Sequence, residues 1–345
     1  DSRPTWSLSR KGKLLIAPSK LGFLLTDGLN MTRGFSIIGS DKASGKEKWE
    51  QPWGERRFIT DHHNELLVRF RQSDVQGNRL MNIRFRLFDD GVGFRYELPE
   101  QPGLKTMRIA DETTEFDIAP EGTAWWIPGG EWNRYEQVYQ KTPIDAVSTA
   151  HTPITMRLAD GTHLSFHEAA LVDYAGYWLK RADGRKFRTT LAPSSLAARV
   201  TRDLPFNTPW RTIRIADDAA GLVENDLELN LNEPNKLGDV SWFTPAKYIG
   251  IWWGMIRGDW SWAEGPKHGA TTERTKQYID FAAKNGFRGV LIEGWDKGWN
   301  GDWFGHGDDF SYTQATPDFD LPGLAAYAKQ KGVRLIGHHE TGGNI

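Results

Sequence analysis

Cysteine is absent from the 345 residues, which excludes disulfide bridges and zinc sites with cysteine ligands. The 43 basic and 45 acidic residues nearly balance, so the net charge of −2 does not create the positive field that attracts nucleic acids. No stretch approaches the roughly 18 consecutive apolar residues of a membrane-spanning helix. We therefore expect neither a nucleic acid nor a membrane as a partner. No signal peptide is recognisable at the first residue, so we expect a cytosolic or an already processed chain.

Tryptophan, in contrast, is abundant, with 16 residues in a sequence of otherwise ordinary globular composition. Flat indole rings stack well on the C–H faces of sugars, so the enrichment indicates a carbohydrate ligand. Aromatic residues also fill the core of large β-rich proteins. The composition alone leaves both interpretations open.

Residues 1–243 have the pattern of an all-β domain. Apolar and polar residues alternate on both sides of Asp89-Asp90-Gly91, as in an antiparallel hairpin with one buried face. The same pattern surrounds Asp160-Gly161, and Asp183-Gly184 provides a further turn signal. Short alternating strands with frequent turns predict a large antiparallel β-sandwich.

The pattern changes in residues 244–345. The run TPAKYIGIWWGMI predicts a strand that is buried on both faces. A helix follows, capped by Thr271 or Thr272 and ended by Gly286. FRGVLIEGW predicts the second strand and VRLIGHHE the third. Between them, DLPGLAAYAKQKG predicts the second helix, capped by Asp320 and ended by Gly332.

This strand–helix order favours a (β/α)8 barrel, because long loops follow the strands and short turns follow the helices. A dinucleotide-binding fold is less favoured, since no G-x-G-x-x-G opens the first helix. A barrel needs roughly 200 to 250 residues, and 100 residues follow Pro245. We therefore expect an N-terminal β-super-sandwich followed by the first three strands of an incomplete barrel, in a chain that is part of a longer protein.

Candidate catalytic residues lie where the predicted parallel strands end, which is where barrel enzymes place their active sites. Glu293 ends the second strand, and His338, His339 and Glu340 end the third. Alternate side chains of a strand point to opposite faces. His338 and Glu340 should therefore act as a pair, with His339 in a supporting role. A zinc hydrolase that uses the same pair is an alternative, and an isolated Glu293 could also be a solvated strand end.

Two further features indicate binding. The loop EGWDKGWNGDWFGHGDDF alternates tryptophans such as Trp295 with carboxylates such as Asp296, as a sugar-binding rim would, although its tryptophans could also lie beneath a glycine-rich loop. Glu168 lies in phase with the apolar residues Leu164 and Phe166. A carboxylate on an apolar face needs an ion pair, hydrogen bonds or a hard cation, unless the strand end is exposed to water.

Three motifs together resemble glycoside hydrolase family 97: FHEAALVDYAGYWL, GVLIEGWDKGW and LIGHHETGGN, in this order. The resemblance covers nearly the whole chain and corresponds to the N-terminal half of such an enzyme. It implies a super-sandwich, a catalytic barrel and a C-terminal sandwich. It also implies a calcium-dependent, exo-acting α-glycosidase that acts on oligosaccharides in the periplasm.

The resemblance also implies roles for individual residues. Glu168 would bind Ca²⁺ at the domain junction, and Glu340 would be the catalytic base. Glu293 and His338 would contact the sugar, and Trp295 belongs to the predicted sugar-binding rim. The general acid and the other calcium ligands would lie beyond residue 345, so we expect this chain to lack a complete catalytic set.

The HHET sequence resembles the inverting, α-glucosidase branch of the family, so we expect an inverting α-glucosidase. The retaining α-galactosidases of the family, whose nucleophile lies on a later strand, are the first alternative. A carbohydrate-binding protein without catalysis is the second.

Overall fold

The computed structural model of the chain describes residues 2–73, 78–131, 135–303 and 305–340. The chain divides into two compact units, Asp1–Lys236 and Leu237–Ile345. The sequence patterns place the change of architecture slightly later, after residue 243.

The described part of the first unit consists mainly of β-strands. They are β1 (Thr5–Arg10), β2 (Lys13–Lys20), β3 (Phe23–Leu25), β4 (Phe35–Glu50), β5 (Phe58–Gln72), β6 (Arg79–Phe88), β7 (Gly91–Leu98), β8 (Thr106–Glu112), β9 (Glu115–Ile118), β10 (Gly122–Trp126), β11 (Gln140–Pro143), β12 (Thr149–Ala150), β13 (Ile154–Leu158), β14 (His163–Ala169), β15 (Tyr177–Asp183), β16 (Lys186–Leu191), β17 (Val200–Asp203), β18 (Phe206–Asn207) and β19 (Trp210–Ala216). Two short helices follow, α1 (Ala219–Val223) and α2 (Leu227–Leu231).

These strands form antiparallel sheets that pack face to face. The largest has the order β11-β10-β13-β14-β19-β7-β6-β5-β4, the second has the order β1-β2-β9-β16-β15-β12, and a small one has the order β17-β8-β3. The ring centroid of Trp6, in the second sheet, lies 4.7 Å from that of Phe94 in the largest sheet. Across the same interface, the ring centroids of Phe116 and Phe166 are 5.4 Å apart. All four rings are buried. The predicted sandwich architecture is therefore confirmed.

The hairpins predicted from alternation are present. Phe88 pairs with Gly91, so Asp89 and Asp90 are the two turn residues between β6 and β7. Strands β13 and β14 form a second hairpin, and β15 and β16 a third. The local alternation of apolar and polar residues was sufficient to predict these hairpins, because each of their strands pairs with its neighbour along the chain.

The second unit contains a parallel sheet with helical connections. Its strands are β20 (Tyr248–Ile251), β21 (Gly289–Ile292) and β22 (Arg334–Gly337), and its helices are α3 (Trp253–Ile256), α4 (Thr272–Lys284) and α5 (Leu321–Gln330). The sheet order is β20-β21-β22, and both pairings are parallel. Ile251, Val290 and Ile292 of the sheet share one buried core with Ile279 of α4 and Leu324 of α5. No helix in the described residues is long and apolar enough to cross a membrane.

The first strand of this unit is shorter than its sequence predicted. β20 ends at Ile251, and the next apolar residues form α3. The Trp252 carbonyl accepts hydrogen bonds from the N–H groups of Met255 and Ile256, at 3.0 and 3.2 Å. A continuous apolar run has no periodicity to mark where a strand gives way to a helix, so the sequence could not locate this boundary.

The two long helices begin and end as predicted. The Thr271 hydroxyl accepts a hydrogen bond from the Arg274 N–H at the start of α4, and the Asp320 carboxylate accepts one from the Gly323 N–H at the start of α5. Gly286 follows α4 with a φ of 73°, a left-handed conformation that favours glycine.

We expect the Asp320→Ala variant to destabilise the second unit by about 1 kcal/mol, because α5 loses its N-terminal cap. Asp320→Asn is the matched control, since the asparagine oxygen can still accept from Gly323. Urea unfolding followed by circular dichroism measures both variants. Equal stability of the two variants would contradict this role of the cap.

Candidate functional site

The ends of β21 and β22 bring two predicted site residues to one edge of the sheet. The register aligns Ile292 of β21 with Ile251 of β20 on one side and with Gly337 of β22 on the other. The next residues along the two strands are Glu293 and His338. The parallel register therefore places both at the carboxyl edge of the sheet.

Glu293 is held by a tryptophan that the sequence analysis did not assign to the site. The indole Nε1–H of Trp262 donates to Glu293 Oε2 at 2.7 Å, and the Glu293 backbone N–H donates to the Ile251 carbonyl at 3.2 Å. Trp262 lies in the loop between α3 and α4, and its ring stacks on Trp299, with 6.4 Å between centroids. Glu293 is half-buried, so its carboxylate combines a fixed orientation with access to solvent.

His338 and Glu340 lie together just beyond β22. His338 Nε2 is 3.2 Å from Glu340 Oε2, and the two side chains are 31 % and 33 % exposed. The His338 backbone N–H donates to the Ile292 carbonyl at 3.1 Å, which continues the strand pairing by one residue. The two side chains thus share one side of the chain, as the alternation of a strand predicts.

His339 points away from this pair and packs against two aromatic rings of the loop after β21. Its ring stacks on Tyr312, with 3.4 Å between centroids, and meets the ring of Phe310 edge-on at 5.3 Å. Its Nδ1 lies 3.4 Å from Asp296 Oδ2, an ion-pair distance without hydrogen-bond geometry. His339 therefore anchors the segment that carries its two neighbours.

Asp296 is a buried residue, contrary to the rim predicted for its loop. Its side chain is inaccessible to solvent, and Oδ1 accepts a hydrogen bond from the Trp299 indole at 2.9 Å. Burial raises the pKa of Asp296, although the Trp299 hydrogen bond and His339 oppose the effect. A carboxylate enclosed in this way supports the loop from within and is not available as a surface acceptor for sugar hydroxyls.

Trp295 and Trp299 are also buried, at 6 % and 4 % exposure. Trp295 packs on Phe319, and its indole N–H donates to the His338 carbonyl at 2.9 Å. A Cβ on Gly337 would lie 3.2 Å from the Trp295 ring, so a glycine at the end of β22 permits this close packing. The structure therefore gives Trp295 a supporting contact to His338, and its predicted contact with sugar stays a prediction.

Glu168 belongs to a different cluster, within the sandwich. Its Oε2 accepts a hydrogen bond from Arg211 Nη1 at 2.6 Å. Arg211 also binds Glu112 through two hydrogen bonds, from Nε at 3.0 Å and from Nη2 at 2.6 Å. The side chains of Arg211 and Glu112 are completely buried, and that of Glu168 is 8 % exposed. The partner that a carboxylate on an apolar face requires is thus a guanidinium group.

The charges of this cluster do not cancel, since two carboxylates face one guanidinium. Burial raises the pKa of Glu168; the Arg211 charge lowers it, and the nearby Glu112 carboxylate opposes Arg211. The ring of Tyr177 lies beneath the guanidinium at 4.5 Å. The surplus negative charge at Glu168 suits either a proton or a cation.

Each of the two units matches a family of known proteins. Residues 1–234 match the family described as "Glycosyl-hydrolase 97 N-terminal", and residues 252–345 match "Glycoside hydrolase 97". The chain belongs to glycoside hydrolase family 97. The resemblance drawn from the three sequence motifs is therefore confirmed.

Relatives within the family have different names. A solved family 97 enzyme from Pseudoalteromonas sp. strain K8, in complex with acarbose, is 51 % identical with a TM-score of 0.94, over 99 % of this chain and 52 % of that one. A retaining α-galactosidase from Bacteroides thetaiotaomicron is 24 % identical over 98 % of this chain and 53 % of its own length. A probable retaining α-galactosidase from Streptomyces bingchenggensis is 27 % identical over 96 % of this chain and 48 % of its own length. The chain thus spans about half the length of these relatives.

The family 97 resemblance implies a calcium ion, and the described side chains show whether a site for it is preformed. In the part of the chain that the structure describes, no group of three or more His, Asp or Glu residues is arranged to hold a metal. Glu168 has the surplus charge that a cation needs, but its carboxylate also binds Arg211. It therefore fits as one oxygen ligand and not as a preformed site.

Two residues that contact predicted site residues, Arg211 and Trp262, were not predicted from the sequence of this family 97 chain. Arg211 had a usable signal, because it lies in phase with the buried Ile213 and Ile215 on β19, and a charge on an apolar face predicts a buried partner. Trp262 had no such signal. It lies in a loop, and its contact with Glu293 joins segments 31 residues apart.

We expect the Arg211→Met variant to lose about 3–5 kcal/mol of unfolding free energy, because two buried carboxylates lose their counter-charge. Arg10→Met, which removes an exposed ion pair with Asp217, is the control and should cost less than about 1 kcal/mol. Guanidinium unfolding of the chain measures both. Similar losses in the two variants would contradict the structural role of the buried pair.

Proposed function

We propose that the protein is an exo-acting glycoside hydrolase that cleaves terminal α-glycosidic bonds of oligosaccharides. The observation that carries the proposal is the placement of Glu293 and the His338–Glu340 pair at the carboxyl edge of three parallel strands. Barrel enzymes place their catalytic groups at this edge, and glycosidases act through carboxyl groups.

The three parallel strands are, in this proposal, the first strands of a (β/α)8 barrel. Long loops follow β20 and β21, whereas short turns lead from α4 and α5 into the next strands. This asymmetry is typical of barrels, whose functional loops follow the strands.

The favoured activity is that of an inverting α-glucosidase. The Pseudoalteromonas enzyme, 51 % identical to this chain, binds acarbose, and a variant of it binds panose; both ligands contain α-linked glucose units. A retaining α-galactosidase is the second candidate, because two relatives at 24 % and 27 % identity carry that name. The higher identity to the acarbose-binding enzyme favours the first.

In the inverting reaction the Glu340 carboxylate removes a proton from water as the water oxygen attacks the anomeric carbon. The bond from that carbon to the leaving oxygen breaks, and a general acid protonates this oxygen. His338, 3.2 Å from Glu340, orients the carboxylate, and Glu293 accepts hydrogen bonds from sugar hydroxyls. We expect the general acid outside the residues that the structure describes.

Calcium is part of the proposal, with Glu168 as one of its ligands. When bound, the ion would act as a Lewis acid and supply positive charge to its carboxylate ligands. The support in this chain is the surplus negative charge of the buried Glu112–Arg211–Glu168 cluster. A periplasmic location is likewise proposed from the family alone.

We expect the Glu340→Gln variant of the full-length protein to lose about 10²- to 10⁴-fold in kcat on an aryl α-glucoside, because the amide cannot remove a proton from water. Its KM should change little. Glu273→Gln, on the exposed first turn of α4, is the matched control. Near-normal turnover by Glu340→Gln would refute the assignment of Glu340 as the base.

The stereochemical outcome tests the choice of branch. We expect proton NMR of aryl α-glucoside hydrolysis to show β-glucose first, and EGTA to abolish the reaction until calcium is restored. Initial α-glucose, or faster cleavage of an aryl α-galactoside, would favour the retaining branch and remove Glu340 from the role of base. Full activity in EGTA would contradict the calcium proposal.

A further inference from the structure

A buried histidine lies directly behind the site, and both of its ring nitrogens have partners. His268, in the loop between α3 and α4, is 2 % exposed. Its Nδ1 lies 2.9 and 2.8 Å from the two carboxylate oxygens of Asp318, and its Nε2 lies 2.9 Å from the Gly294 carbonyl oxygen. None of these three residues has a role predicted from the sequence.

These partners determine where the protons around the ring lie. A carbonyl oxygen only accepts, so Nε2 must carry a proton. Burial of the Asp318 carboxylate would raise its pKa, but the hydrogen bond and charge of His268 outweigh this effect and lower it. A second proton must lie between Nδ1 and the Asp318 carboxylate, because the 2.8 Å contact between these two atoms needs a donor. The pair therefore holds two protons at fixed positions, and hydrogen bonds that involve an ionised group are stronger than neutral ones.

The carbonyl that His268 binds belongs to the residue after Glu293. Gly294 has a φ of 79°, and a Cβ there would lie 2.9 Å from the Trp262 carbonyl oxygen. The Trp262 indole also donates to the Glu293 carboxylate at 2.7 Å. The loop between α3 and α4 therefore holds Glu293 twice, by its side chain through Trp262 and by the following peptide through His268.

The pair is itself held in place by neighbouring segments. Arg274 Nη1 donates to the His268 carbonyl at 2.7 Å, and the Thr316 hydroxyl donates to Asp318 Oδ1 at 3.1 Å. Asp318 precedes α5, whereas His268 precedes α4. The ion pair thus joins the two strand-to-helix loops behind the end of β21.

We propose that His268 and Asp318 are positioning residues, which fix the turn after β21 and thereby aim the Glu293 carboxylate at the sugar. This inference rests on the proposed function, in which Glu293 binds the sugar. Sites built this way depend on a supporting layer that locks the contact groups. The competing explanation is that the pair only stabilises the fold.

The primary variant is Asp318→Asn, which keeps the size of the side chain and removes its charge. In the full-length protein labelled with 15N histidine and tryptophan, NMR should show a proton on His268 Nε2 and a second proton between Nδ1 and Asp318. Asp318→Asn should remove one of these protons and shift the Trp262 indole signal. Asp280→Asn, an exposed carboxylate on α4, is the matched control and should do neither.

The functional arm uses the full-length protein and acarbose as the probe. Asp318→Asn should raise the acarbose Kd and lower kcat/KM on the order of 10²-fold, because a misplacement near 1 Å has that effect. The His268→Gln variant should show a smaller loss of affinity and of kcat/KM than Asp318→Asn, since the glutamine amide can still donate to the Gly294 carbonyl. His62→Gln, an exposed histidine on β5, is its control.

The outcomes separate the two claims. Asp318→Asn could lower the melting temperature while the Trp262 signal and the acarbose affinity stay unchanged. This result would show that the pair only stabilises the fold, and it would overturn the inference. Glu293→Gln tests the proposed function separately. If this variant binds acarbose normally while the NMR signals respond as expected, Glu293 is not a sugar ligand and the proposed site is wrong.

Discussion

The parallel register of three short strands is the constraint on which the candidate site depends. Because Ile251, Ile292 and Gly337 lie side by side, whatever follows them in the chain must meet at one edge of the sheet. Glu293 and His338 are 45 positions apart in the sequence, yet they follow neighbouring strands. A shift of one residue in either pairing would turn their side chains to the opposite face.

Around this edge, two buried tryptophans and one half-buried tryptophan donate hydrogen bonds through their N–H groups. A buried indole needs an acceptor, so each ring also fixes the group that accepts from it. Three indoles bind site elements in this way: Trp262 binds the Glu293 carboxylate, Trp295 the His338 carbonyl and Trp299 the Asp296 carboxylate. The abundance of tryptophan in this part of the family 97 chain therefore serves the rigidity of the site, in addition to any stacking on sugars.

Each unit contains a buried ionisable side chain whose hydrogen-bonding groups have partners. In the sandwich, Arg211 lies between two carboxylates, and in the second unit His268 lies between Asp318 and a backbone carbonyl. A lone buried charge would cost several kcal/mol, whereas a paired and fully hydrogen-bonded one is tolerated. In each case the buried group holds a residue to which the family resemblance or the site geometry gives a role in binding.

The sequence by itself determined the hairpins of the sandwich, the caps of α4 and α5, the common side of His338 and Glu340, and the family. Each of these depends on residues close together in the chain, where alternation, capping or a motif carries the information. Only the tertiary structure decided that Asp296 and Trp295 are buried and that β20 ends at Ile251. It also decided the pairing of Glu168 with Arg211, 43 residues away, and of His268 with Asp318, 50 residues away. Such pairs form where distant segments pack, and no local periodicity encodes which segments will meet.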